Sequence, residues 1–120
     1  MPLLKRDWIA AVDAGLTAIV REPALDLPRA VRALRRKLKG KKKEELEHCA
    51  RVLAAVRDRV AKLSWASEMT APCVIRRPVT KLDDIDYDRC LDTIAKEFPE
   101  VARKALGRVQ MESIYWYYLK

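Results

Sequence analysis

Hydrophobic residues recur along most of the chain at intervals of three or four, the spacing that places apolar side chains on one face of a helix. The clearest series runs from Leu46 to Leu63 and forms a short heptad seam. It covers under three heptads, which favours packing within one chain over a long coiled coil. The pattern predicts five helices, over 3–21, 28–39, 42–63, 85–97 and 99–119.

Prolines and one glycine mark where these predicted helices begin and end. Pro28 suits the first turn of the second helix, Gly40 suits its C-terminal cap, and Pro99 is expected to open the fifth helix. The helical pattern stops over 64–82, where prolines indicate an extended segment with at most one short strand. We therefore predict one all-α domain over residues 1–120, built as an antiparallel helical bundle.

Positive charge is concentrated in one third of the chain. The protein has a net charge of +8, whereas residues 29–62 contain thirteen basic and four acidic side chains and sum to +9. A basic surface this concentrated is typical of proteins that hold a polyanion. Nine basic residues with no acidic residue among them form the candidate nucleic-acid contacts: Arg29, Arg32, Arg35, Arg36, Lys37, Lys39, Lys41, Lys42 and Lys43.

The arrangement of these cations favours the phosphate backbone over the bases. The arginines and Lys39 occupy one arc of the predicted second helix, beside an apolar stripe that includes Val31 and Leu34. The chain has no asparagine and one glutamine, the two residues that best read adenine. We therefore predict nucleic-acid binding without sequence specificity, with DNA favoured over RNA. An acidic protein partner and a plain solvated face are the alternatives.

Four consecutive aromatic residues lie near the end of the fifth predicted helix. Consecutive positions point to all sides of a helix, so one core cannot bury them all. Tyr and Trp are enriched at subunit interfaces, although stacking on unpaired bases and ordinary core or surface positions are alternatives. We predict a homo- or hetero-oligomer whose interface includes Trp8, Tyr115, Trp116, Tyr117 and Tyr118.

The sequence contains no recognisable catalytic or metal-binding motif. Its acidic run resembles the opening of a calcium loop, but Arg89 stands where glycine is needed, and helix capping explains the run better. The three cysteines and His48 lack the paired spacing of a zinc site, and a disulfide between Cys73 and Cys90 stays open. We predict no enzymatic activity, no metal, no cofactor and no small-molecule substrate.

Composition and the N-terminal sequence also predict the habitat of the source organism and the location of the protein. Charged residues make up 35% of the chain and amides are almost absent, which is typical of proteins from hot environments. The N-terminus lacks the features of a signal peptide, and the longest apolar stretch, Trp8–Val20, is too short to span a bilayer. We predict a protein of the virion or the cytoplasm that is neither secreted nor bound to a membrane.

In size, helicity, hot-habitat composition and its one basic helix face, the chain resembles the all-helical, DNA-wrapping coat proteins of filamentous viruses of hyperthermophilic archaea. The resemblance implies a non-enzymatic coat or nucleocapsid subunit that packages DNA in a helical assembly, with the basic residues from Arg29 to Lys43 facing the DNA. One alternative is a small helical nucleic-acid-binding subunit of a CRISPR effector complex. Another is a helical module that binds an acidic protein.

Overall fold

The computed structural model describes residues 3–64, 72–76 and 81–119, and these ranges contain five α-helices. A π-helical turn, Leu16–Val20, follows the first helix directly, and a short 3-10 turn, Leu82–Asp84, precedes the fourth. The prediction of an all-α bundle is confirmed. The helices are α1 (Lys5–Gly15), α2 (Leu27–Arg35), α3 (Lys43–Ser64), α4 (Tyr87–Glu97) and α5 (Arg103–Leu119).

The central element is α3, which packs against the other four helices and against the π turn. The predicted heptad seam faces this core, because every member is at most 2% exposed. Burying one large apolar side chain contributes about 2 kcal/mol, so the seam is a main source of the bundle's stability. Its members are Leu46, Cys49, Leu53, Val56, Val60 and Leu63.

The first predicted helix, 3–21, changes type part of the way along. Its α-helical part ends at Gly15, and the backbone then widens into the π turn. The N–H of Arg21 donates to the carbonyl of Leu16 at 2.9 Å, a bond that spans five residues instead of four. The apolar pattern does not report this change, because the π turn still buries Ile19 and Val20.

Two other predicted boundaries are wrong for local reasons. The second helix ends at Arg35 instead of residue 39, because the N–H groups of both Lys37 and Leu38 donate to one carbonyl and tighten the chain into a turn. Pro99 does not open the fifth helix, which begins at Arg103. The proline belongs instead to a turn closed by a 3.1 Å hydrogen bond from the N–H of Val101.

The described part of the predicted extended segment lies across the ends of two helices. Val74 forms an isolated antiparallel bridge with Ile85. The N–H of Cys73 donates to the carbonyl of Leu63 at 3.1 Å, and the carbonyl of Cys73 accepts from the N–H of Asp86 at 2.7 Å. These bonds tie the end of α3 to the start of α4. Residues 65–71 and 77–80 of this segment lie outside the described residues.

The thiols of the chain are free and buried. This holds for Cys49, Cys73 and Cys90. Burial away from water raises the pKa of Cys49 to about 12, and that of Cys90 to about 12, so both stay protonated near neutral pH.

Two glycines are expected to respond to alanine substitution in opposite directions. Gly40 has a φ of 82°, a left-handed conformation that costs a side-chain-bearing residue about 1 kcal/mol. Gly107 lies within α5, where an added Cβ would meet no atom closer than 3.8 Å. Gly40→Ala should therefore lower the free energy of unfolding by about 1 kcal/mol, and Gly107→Ala should raise it by about 0.5–1 kcal/mol. Urea unfolding followed by circular dichroism measures both, and equal effects of the same sign would contradict this account.

Candidate nucleic-acid interface

An open groove of about 660 Å³ runs between the end of the first helix and the basic helix α2. One wall is formed by α1 and the π turn and includes Asp13 and Thr17. The other wall, from α2 and the turn after it, is strongly basic. We call this the basic groove, and its cations are Arg29, Arg32, Arg36 and Lys37.

The local sequence explains why these cations face outward. Asp26 caps α2, since its carboxylate accepts from the N–H of Arg29 at 3.2 Å, and Pro28 lies in the first turn as predicted. The apolar stripe of α2 is buried in the core, and this fixes the rotation of the helix. Arg36 follows the last helical residue but keeps helical dihedral angles, so it continues the row one turn beyond Arg32.

The residues that line the basic groove carry more positive than negative charge. Four cations and the single carboxylate of Asp13 line it, which leaves a net +3. Arg29 donates to Glu22 at 2.7 Å, and Lys37 lies 3.1 Å from Asp13. Within the described residues Arg32 and Arg36 make no ion pair and are exposed. These two arginines are therefore available to an external anion.

The other five predicted cations lie outside the groove lining. Four of them are exposed, on α2, on the turn to α3 and at the start of α3: Arg35, Lys39, Lys42 and Lys43. Lys41 is largely covered and lies 3.3 Å from the carboxylate of Asp7. A backbone hydrogen bond from Leu4, together with Lys41, lowers the pKa of Asp7. Lys41 thus faces a carboxylate that stays ionised, and we leave it out of the proposed contacts.

The predicted interface residues separate into buried and exposed side chains. Trp8 is only 1% exposed and packs within the hydrophobic core, which contradicts its assignment to a subunit interface. Its indole is too deep to reach a partner. Tyr115, Trp116 and Tyr117 are 56%, 39% and 48% exposed, so the core does not cover them. The side chain of Tyr118 lies outside the described residues.

A second concavity, of about 290 Å³, lies between the π turn, α3 and the aromatic end of α5. We call it the aromatic pocket, because Trp116 and Tyr117 form part of its wall. The guanidinium of Arg21 lies 5.1 Å from the centre of the Trp116 ring, within the range of a cation–π contact. Arg21 also pairs with Glu112 at 3.2 Å, which holds the guanidinium in place.

Arg57 of α3 holds the backbone beside both concavities. It is 8% exposed, and its Nη1 donates to the carbonyls of Ile19 at 2.6 Å and Glu22 at 2.8 Å. Its Nε and Nη2 each lie 3.0 Å from Asp58. Those carbonyls belong to the π turn and the residues just after it, where regular helical bonding ends. Arg57 therefore fixes the segment that separates the basic groove from the aromatic pocket.

The sequence did not single out Asp13, Thr17, Arg21 or Arg57. The first two belong to a wall that exists only once α1 packs beside α2. Arg57 follows Val56 of the seam, and in the sequence it looks like an ordinary charged residue on the solvent-facing side of an amphipathic helix. The sequence feature that could have indicated its role is its position next to the seam, but this position alone does not predict that an arginine is buried.

No protein-family model, curated protein or solved structure matches this chain. Within the described ranges, no three His, Cys, Asp or Glu side chains come together as a metal site requires. The helices of the same ranges include none with both the length and the apolar composition of a transmembrane span. The charge and shape of the chain's own surface are therefore the features that indicate what it binds.

Proposed function

We propose that the protein binds the phosphate backbone of DNA without sequence specificity, through the basic groove, and acts as a non-catalytic packaging subunit. The observation that carries this proposal is a groove lined by four cations and one carboxylate, in which two arginines make no ion pair within the described residues. Arginine forms paired hydrogen bonds with phosphate oxygens, which strengthens such contacts over a simple point charge. Four further exposed cations, on α2, on the turn to α3 and at the start of α3, add to the positive charge of this part of the chain.

The shape of the site favours a polymer of phosphates over an acidic protein. The four groove cations follow one another along α2 and the turn after it, at steps of three, four and one residues. Arg29 and Lys37 can exchange their internal carboxylates for phosphates, so a chain of anions can engage the whole row. A folded acidic partner would have to match this groove with carboxylates of its own, for which the groove offers few large apolar anchors.

A separate apolar face suits the contact between neighbouring subunits that packaging requires. Ile9 of α1 and Met111 of α5 are 41% and 47% exposed and line a cleft of about 240 Å³, whose lining also includes Lys104 and Arg108. Tyr115 follows Met111 by one helical turn and extends the same face. Exposed apolar side chains grouped in this way are typical of interaction surfaces. We assign them to contacts between copies of the chain.

The salt dependence of DNA binding tests the proposed function. If the four groove cations contact phosphates, the logarithm of the binding constant should fall with the logarithm of salt concentration with a slope of about −4. Fluorescence anisotropy with duplexes of two unrelated sequences measures the slope and its independence of sequence. Polyglutamate of the same charge serves as the control polyanion. A slope near zero, or tighter binding to polyglutamate than to DNA, would contradict the proposal.

A further inference from the structure

The aromatic pocket has the composition of a site for a flat, uncharged group. Two cations and two carboxylates line it, and both cations are paired: Arg57 with Asp58, and Arg21 with Glu112, which lies outside the lining. The donors of Arg57 are already used by two carbonyls and a carboxylate. An incoming anion would therefore find no spare charge here, unlike in the basic groove.

The walls of the pocket supply the surfaces that a planar ring needs. Trp116 and Tyr117 are part of the lining, and both are substantially exposed. The hydroxyl of Ser113, a lining residue only 4% exposed, has no hydrogen-bond partner within the described residues. An aromatic surface beside an unused hydrogen-bonding group suits a ring that has polar atoms on its edge.

The aromatic pocket is next to the basic groove, and one ion pair lies between them. Glu22 lines the pocket, Arg29 lines the groove, and their side chains are joined at 2.7 Å. A strand whose phosphates occupy the groove would thus pass within reach of the pocket. Proteins that hold single strands combine these two elements, a cationic path for the backbone and aromatic side chains for the bases.

We propose that the aromatic pocket receives one unpaired nucleobase of a strand whose backbone lies in the basic groove, an inference that rests on the proposed function. The base stacks on Trp116 or Tyr117, and its polar edge turns towards Ser113. The protein then prefers a single strand, or a base turned out of a duplex, over fully paired DNA. This assigns Trp116 and Tyr117 a different role from Tyr115, which does not line the pocket.

A comparison of two oligonucleotides with the same phosphates tests the pocket. One is an oligothymidylate of about 20 residues, and the other is an abasic strand of equal length. Stacking of one base predicts that the wild-type protein binds the thymidylate strand about tenfold more tightly. Trp116→Ala with Tyr117→Ala should remove this preference and leave the affinity for the abasic strand unchanged. Tyr115→Ala changes an aromatic residue that is 56% exposed and lies outside the pocket, so this control variant should keep the preference.

The same experiment distinguishes an error about the base pocket from an error about the backbone groove. Equal affinity for both strands, lost when Arg32 and Arg36 are changed to glutamate, would overturn the base pocket and support the backbone groove. Absence of binding to either strand would overturn both. A double aromatic variant that keeps the tenfold preference but changes the oligomeric state in light scattering would also overturn the pocket, because the aromatic residues would then belong to a subunit contact.

Discussion

Reversing the charge of Arg32 and Arg36 is expected to weaken DNA binding by about 100-fold or more near 0.1 M salt. Both arginines line the basic groove and lack an ion pair within the described residues. The variant Arg32→Glu with Arg36→Glu therefore removes two phosphate contacts and adds two repulsive charges. Each removed phosphate contact alone lowers the binding constant about tenfold at this salt concentration. Fluorescence anisotropy with a labelled duplex measures the loss.

A matched pair of reversals separates local from overall charge. Arg89→Glu with Lys96→Glu also lowers the net charge from +8 to +4, but both residues are exposed on α4, which does not pack against α2 in the described part of the chain. This control should weaken binding only a few-fold. Circular dichroism checks that helicity survives, and Arg32→Gln with Arg36→Gln provides a milder variant. Equal losses from the two reversals would show that the groove is not the binding site.

Replacing Arg57 with methionine is expected to lower the free energy of unfolding by about 3 kcal/mol. Methionine fills much of the same volume but leaves the carbonyls of Ile19 and Glu22 without their charged donor. Hydrogen bonds to a charged group contribute about 1.5–3 kcal/mol each, and buried acceptors without a partner carry a further cost. The midpoint and slope of urea unfolding measure the change.

Arg51→Met is the control, because Arg51 lies on the same helix, is exposed, and forms no ion pair within the described residues. Its effect should stay within about 0.5 kcal/mol. If Arg57→Met lowers stability by less than about 1 kcal/mol, water replaces the guanidinium without loss, and Arg57 does not hold this segment. A large loss from both variants would indicate that hydrophobic exposure on α3, instead of the lost donors, is responsible.

The spacing of hydrophobic residues predicted those parts of the fold that depend on residues close together in the sequence. The seam from Leu46 to Leu63 repeats often enough to fix both the existence and the inward face of α3. The capping residues around α2 likewise follow local rules, so the outward direction of Arg29 and Arg32 could be predicted from the sequence. Half of the candidate site, its basic wall, was predictable for this reason.

The other half depends on contacts between distant segments. Asp13 meets Lys37 only because α1 packs beside the turn after α2, and no local pattern encodes this meeting. The same limit explains the error at Trp8, since an aromatic residue near the chain end suits a core and an interface equally well. Arg57 is the strongest example, because its burial depends on two carbonyls that lie 38 and 35 residues away in the chain.

The π turn at Leu16–Val20 makes the alignment of the groove depend on a single residue. A π turn contains one residue more than the α-helical turn it replaces. Deleting a residue there would allow a regular helix from Lys5 onward, yet it would rotate α1 by about 100° relative to the rest of the bundle. Asp13 would leave the groove wall, while the far wall on α2 stayed in place. The rotational alignment of the two groove walls thus depends on the number of residues in this turn.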